Sequence, residues 1–262
     1  MSNPLLPTEI LDQVVDHLHD EEPALRNCCL VSKSWIPRTR THLFADIKLQ
    51  TQRKLESWKE TFPDPSTSPA HHARTLSISC SRNITAADAG AGSWISSFSR
   101  VVRLVVNSQG LFPSMQLGSL TPFHGFSPIK SLHVDVYAVP SHIFDLILSF
   151  PLFEDLTIRT HSKMFNDGDG SYRPPTTVRP SISPAFSGSL ELSMVGGMRP
   201  IALWLLSLPG GVHFRELSLT WAEEEDIALT MAFMERCAPT VESLDITCNS
   251  RGTPIWNLSL HR

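Results

Sequence analysis

Apolar and polar positions along this chain keep one period at its start and another afterwards. Residues 6–18, LPTEILDQVVDHL, carry Ile10, Leu11, Val14, Val15 and Leu18 in a single stripe at helical spacing. Pro7 suits a first turn, where a missing N–H costs nothing, and Glu9 lies where the helix dipole favours an anion. The acidic stretch from His19 to Pro23 can start a second helix, in which Leu25, Cys28 and Cys29 recur three and four apart. SKSWIPRTRTHLF then follows, with Ser32 expected to cap a third short helix carrying Trp35. A unit of three such short helices buries little apolar surface by itself.

From Phe44 onward the period falls to two. Runs of the form apolar-x-x-Leu-x-apolar are Phe44/Ile47/Leu49, Ala73/Leu76/Ile78, Val101/Leu104/Val106, Ile129/Leu132/Val134 and Phe153/Leu156/Ile158. Phe214/Leu217/Leu219 and Val241/Leu244/Ile246 continue the series, and a weaker member, Leu190/Leu192, has Ser187 in its first position. The central residues stand at 47, 76, 104, 132, 156, 190, 217 and 244, so most steps lie near 27. Period-2 runs at such a spacing are the signature of stacked repeats rather than of a doubly wound sheet. PLFEDLTI from Pro151 and PTVESLDI from Pro239 share more than spacing, and each follows a helical stretch, HIFDLILSF or EEEDIALTMAFMERC. Acidic residues at 223–226 favour the start of that second helix and Pro239 blocks its continuation. A repeat therefore reads strand, loop, helix, loop, with crossovers long enough for parallel strands.

This arrangement resembles a leucine-rich repeat, L-x-x-L-x-L-x-x-N/C, from roughly Phe44 to the end of the chain. Its asparagine position is filled only by Asn249. Elsewhere it holds Ser81, Gln109, Tyr137, His161, Val195 and Ala222, so the solenoid is expected to be irregular. The resemblance implies an α/β fold with a curved parallel sheet and outer helices. Side chains between the apolar positions of each strand then point to the concave face. They are Lys48, Ser77, Arg103 or Val105, His133, Thr157, Glu191, Ser218 and Asp245, with Asp135, Arg159, Thr220 and Thr247 one step on.

Two stretches break the rhythm. TFPDPSTSPAHHAR, from Thr61, reads as a loop, with His71 and His72 exposed on it. A Pro-, Ser- and Gly-rich mobile insertion is expected at about 162–189. The final run, Ile255/Leu258/Leu260, predicts one more strand. Only about eight residues separate it from Ile246, too few for a helical crossover. A parallel strand carried by an extended loop is expected because the strand pattern is retained; an antiparallel hairpin through Asn249–Gly252 is the other solution.

Composition removes several classes of function. The 262 residues are 41% hydrophobic and 18% charged with a net charge of −4, which gives no general attraction to nucleic acid. Lys33, Arg38, Arg40 and His42 read as a solvated helix face. The N-terminus lacks the basic and apolar regions of a secretory leader, and IALWLLSLPGG is too short to span a membrane. Five cysteines without a C-x-x-C pair fit free thiols in a reducing compartment, hence cytoplasm or nucleus. In that setting the two glycosylation sequons, at Asn83 and Asn257, are chance matches.

No catalytic constellation emerges. Asp167-Gly-Asp169-Gly170 fails as a calcium loop, since Tyr172 and Val178 stand where Gly and Glu are required. Gly90-Ala91-Gly92 is followed by Ile95 where a dinucleotide fingerprint needs its third glycine. No metal, cofactor or enzymatic activity is expected.

Leu6-Pro7, Glu9-Ile10-Leu11, Val14, Leu18, Leu25 and Leu30-Val31-Ser32-Lys33-Ser34-Trp35 resemble an F-box, with Ser32 in place of the usual cysteine. The match spans about residues 4–45, dividing the chain into an F-box at 1–45 and a repeat domain at 46–262. In that family the F-box docks on the Skp adaptor of a cullin-based (SCF) ubiquitin ligase, and the repeats hold a protein substrate. The resemblance thus implies adaptor contacts from Leu6, Pro7, Ile10, Leu11, Val14, Leu18, Leu30, Val31 and Trp35. Two other readings stand beside it: a repeat scaffold with no ligase role, and an enzyme with a dispersed site.

Overall fold

The structure, a computed structural model, describes residues 7–79, 94–107, 129–136, 143–148, 150, 154–160, 186–194, 199–208, 211–221, 227–248 and 256–261. Three helices open it: α1 (Thr8–His17), α2 (Glu22–Val31) and α3 (Ile36–Leu43). α2 starts within the acidic stretch, with Pro23 in its first turn. α3 differs from expectation. Ser32 ends α2, and its hydroxyl accepts from the Ser34 N–H at 3.3 Å instead of capping the next helix. Trp35 stands just before α3, whose first turn takes Pro37. The opening stripe divides: Val15 is buried with Leu25 and Cys28, whereas Ile10 and Val14 face outward.

Asp16 ties α1 to α3. Its carboxylate accepts two hydrogen bonds from the Arg38 guanidinium, at 2.5 and 2.6 Å, and lies 2.7 Å from His42 Nε2. Arg38 and His42 are thereby withdrawn from the solvated basic face expected of them. The Arg38 guanidinium, then the His42 ring, holds the Asp16 carboxyl well below the usual carboxylate range. α3 also packs on a short 3-10 turn at Pro69–His72.

Phe44 and Ala45 alone join the helices to a nine-stranded sheet whose spatial order is its chain order. The strands are β1 (Asp46–Leu49), β2 (Thr75–Ser79), β3 (Arg103–Asn107), β4 (Ser131–Val136), β5 (Asp155–Thr160), β6 (Ser189–Met194), β7 (Glu216–Trp221), β8 (Ser243–Cys248) and β9 (Trp256–His261). β1 to β8 are parallel, and Ile47, Leu76, Leu104, Leu132, Leu156, Leu190, Leu217 and Leu244 stand side by side across them. Those are the central residues of the sequence pattern. Helices α4 (Gln52–Thr61), α5 (Ile143–Leu148), α6 (Arg199–Leu206) and α7 (Ile227–Cys237) lie between strands in the chain. Leu55, Phe144, Ile147, Ile201, Leu205 and Phe233 from these helices join the Leu row in one core. The other face of the sheet carries the polar alternate positions.

A repeated bond sets each strand beside the last. The carbonyl just before one strand accepts from two successive N–H groups at the start of the next. Ala45 does so for Arg74 and Thr75, Arg74 for Val102 and Arg103, Val102 for Lys130 and Ser131, and Lys130 for Glu154 and Asp155. At the next step only Gly188 N–H reaches Glu154; Ser189 N–H goes to Asp155 Oδ1 at 2.8 Å instead. Gly188 is needed there, because a Cβ would collide with Asp155 Oδ1 and lie 3.0 Å from the Glu154 carbonyl oxygen.

Four expectations change here. β9 is antiparallel to β8, with Leu260 opposite Leu244 and Leu258 opposite Ile246. Seven residues separate Cys248 from Trp256, so reversing direction is far shorter than carrying the chain back for a parallel start. The expected insertion at 162–189 ends early: residues 161–185 lie outside the described residues, but Phe186 is fully buried and Ser189 begins β6. Phe186, not Ser187, fills the apolar position before Leu190, and the extra residue is absorbed by a left-handed Phe186 (φ 34°). The stretch after Thr61 holds two 3-10 turns, at Pro65–Thr67 and Pro69–His72, and His72 is half-buried. Burial, with His71 beside it, pushes the His72 imidazole below its ordinary value.

Candidate interaction surfaces

The helical head leaves apolar side chains in water. Leu30 is 86% exposed, Val31 68%, Val14 46% and Ile10 43%. Pro7 is exposed as well, while Leu11, Leu18 and Trp35 are half-buried. Leu6 lies outside the described residues. The cause is geometric: α2 can turn only one side toward α3, and Leu25 and Cys28 occupy that side. Leu30 and Val31, at its last turn, have no covering element among the described residues. Leu30, Val31, Val14 and Ile10 are the large apolar side chains most open to water among the described residues of the head.

On the sheet, alternation brings the predicted polar residues to one face in three rows. The central row reads Lys48, Ser77, Val105, His133, Thr157, Glu191, Ser218, Asp245 and Ser259. Val105 rather than Arg103 fills it. Arg103 stands in the row before, between Thr75 and Ser131. The row after runs Asn107, Asp135, Arg159, Ser193, Thr220 and Thr247. Ser77 does not belong to an accessible surface: it is buried, the smallest side chain between Lys48 and Val105.

Charge concentrates at the middle of this face. Arg159 donates to Glu191 Oε1 from Nε at 2.8 Å and lies 2.7 Å from it through a second nitrogen. His133 is half-buried beside them. Burial pushes its imidazole below the ordinary value near 6.5, and Arg159 adds repulsion that Asp135 and Glu191 oppose. His133 is therefore neutral near pH 7. Arg103 and Arg159 are then balanced by Asp135 and Glu191, a mixed surface suited to hydrogen bonding and charge pairing with a folded or extended partner. Thr157, Ser218, Thr220 and Thr247 flank it half-buried, and Asp245 is exposed.

Sequence reasoning missed what β9 adds. Ser259 Oγ donates to Asp245 Oδ1, and Ser243 Oγ lies 2.9 Å from His261 Nδ1. The signal was the short loop before β9, which fixes its direction and hence its partners. On the opposite face Leu258 and Leu260 are 47% and 54% exposed and stand outside the core, Leu260 sharing a shallow cavity with Met234 of α7 and Leu244. Among the described residues no group of three His, Cys, Asp or Glu side chains is placed to hold a metal, and no helix is long and apolar enough to cross a membrane. Neither a protein-family model, nor a curated protein, nor a solved structure matches the chain.

Proposed function

We propose that this protein is the substrate-recognition subunit of an SCF-type ubiquitin ligase, acting in cytoplasm or nucleus without catalytic activity of its own. Its three-helix head is read as an F-box docking on the Skp adaptor, and through it on a cullin. The strand-and-helix body is read as an irregular leucine-rich-repeat solenoid that presents a protein substrate. One observation carries the reading: Ile10, Val14, Leu30 and Val31 are exposed on a head whose motif, Leu6-Pro7-x-Glu9-Ile10-Leu11 to Trp35, reserves those positions for an adaptor. The polar sheet face, centred on His133, Asp135, Arg159 and Glu191, is the proposed substrate platform.

Calorimetric titration of the full chain with the Skp adaptor tests the first contact. Saturable one-to-one binding is expected. Ile10→Ser/Val14→Ser weakens it by about 2 kcal/mol or more, as truncated anchors at binding surfaces do. Unchanged affinity in that variant removes the F-box assignment. A second reading is a repeat scaffold whose helices merely cap the sheet, favoured by the packing of α3 on the turn at Pro69–His72. Its signature is a chain that captures protein partners but never the adaptor.

A further inference from the structure

β1 lies at an edge of the sheet, paired with β2 on one side and with no other strand among the described residues. The Ala45 carbonyl points toward β2, since it accepts from Arg74 and Thr75. Peptide groups alternate along a strand, so those of Ile47 and Leu49 also serve β2, and those of Asp46 and Lys48 face the free edge. That edge is the floor of a groove of about 690 Å³ between α2 and α4. Trp58 and Phe62, with rings 4.7 Å apart, form an apolar wall.

The groove's charges are unbalanced. Arg26 is paired with Glu22 and Lys48 with Asp46. Arg53 and Lys54, both exposed in the first turn of α4, have no acidic partner among the described residues. We infer that this groove binds an extended acidic peptide, which adds as a strand to β1 through the free peptide groups of Asp46 and Lys48 and sets carboxylates against Arg53 and Lys54. Main-chain hydrogen bonds to a sheet edge supply affinity, and alternate side chains supply selectivity. β1 carries neither proline nor bulge to prevent such pairing. The inference stands apart from the ligase reading, because it uses neither the exposed apolar residues of the head nor the charged cluster around His133 and Arg159.

Fluorescence anisotropy with a fluorescein-labelled peptide of alternating glutamate and valine, titrated with the full chain, provides the test. Saturable binding is expected below about 1 mM, the weak end of specific recognition. A lysine–valine peptide should not bind, and Arg53→Glu/Lys54→Glu should weaken the glutamate peptide at least about tenfold. Lys48→Pro removes an edge N–H that β2 does not use, whereas Lys48→Val keeps it. The first should lose several-fold to about tenfold relative to the second, the scale of one hydrogen bond. Because Lys48→Pro can perturb folding, the same contrast is read from the ligand: a glutamate–valine peptide N-methylated at alternate residues should bind at least several-fold more weakly. Equal binding of the methylated and plain peptides, equal binding of the lysine peptide, or no saturable binding overturns the proposal. So does a concentration-dependent dimer that excludes the peptide, which would assign the edge to a second copy of this chain.

Discussion

The helical head and the sheet are joined by two residues yet held by different forces. In the sheet, the Leu row from Ile47 to Leu244 meets Phe98, Phe144, Phe150, Phe186, Phe214 and Phe233, all fully buried, so cohesion comes from apolar surface removed from water. Among the described residues of the head only the apolar Val15, Leu25 and Cys28 are buried, and Asp16 with Arg38 and His42 supplies a tie between α1 and α3. A region built on burial responds to cavities and crowding. One built on an ion cluster responds to pH and can keep apolar side chains outside. The head's small core and its exposed Leu30 and Val31 are two aspects of one arrangement: apolar area that is not buried inside stays in contact with water.

The sharpest way to break this contrast is to cut the sheet's core. Leu132→Ala, in the middle strand row and fully buried, should cost about 3 kcal/mol in denaturant unfolding, within the range of buried Leu→Ala changes. A loss much below that denies the sheet a tightly packed core. Next in size, Gly188→Ala forces a methyl group against Asp155 and the Glu154 carbonyl and should cost about 2 kcal/mol, as overpacking does. An unchanged midpoint would mean that the ladder shifts freely at that step.

Acid should separate the two regions. Asp16 has a lowered carboxyl pKa in the folded head, so its stabilisation is complete above the ordinary value of 3.8 and is lost as pH falls below it. Amide protection in α1 and α3, relative to free peptide at the same pH, is expected to fall between about pH 4 and 2, and Asp16→Asn should loosen the same helices at neutral pH. Uniform acid response across head and sheet would erase the distinction. The smallest effect is expected at the exposed positions: Ile10→Ser/Val14→Ser should leave unfolding within about 0.5 kcal/mol, since neither side chain contributes to the core. A larger loss would show those residues to be structural.

Much of the sheet was legible in the sequence because the spacing of Leu76, Leu104, Leu132 and their kin is the register itself. The period-2 pattern reports which side chains face the core but is blind to direction, so Ile255/Leu258/Leu260 read the same parallel or antiparallel. It also assumes a fixed offset of three, and Phe186 sits at four. The candidate surfaces were partly readable. Arg159 and Glu191 stood on the expected face, but their pairing across two strands, 32 residues apart, leaves no local mark. The same holds for Asp16, whose partners lie 22 and 26 residues away: it draws Arg38 and His42 into a tie between helices, while Lys33 and Arg40 stay exposed. Ser77 failed because alternation predicts a side chain's direction, not its height among its neighbours.

The reversal at β9 bears on how the chain finds its fold. Each parallel neighbour must close a connection of 18 to 28 residues, while β8 and β9 meet across seven. Hairpins of this kind form in about 1–10 μs, so the cheapest pairing in the sheet lies at its far end. On a ribosome that segment emerges after all the other described strands. A chain refolded from denaturant that starts at β8–β9 would add strands backward, whereas one growing from the ribosome meets its strands in order from the head. The two routes cross the same parallel ladder in opposite directions.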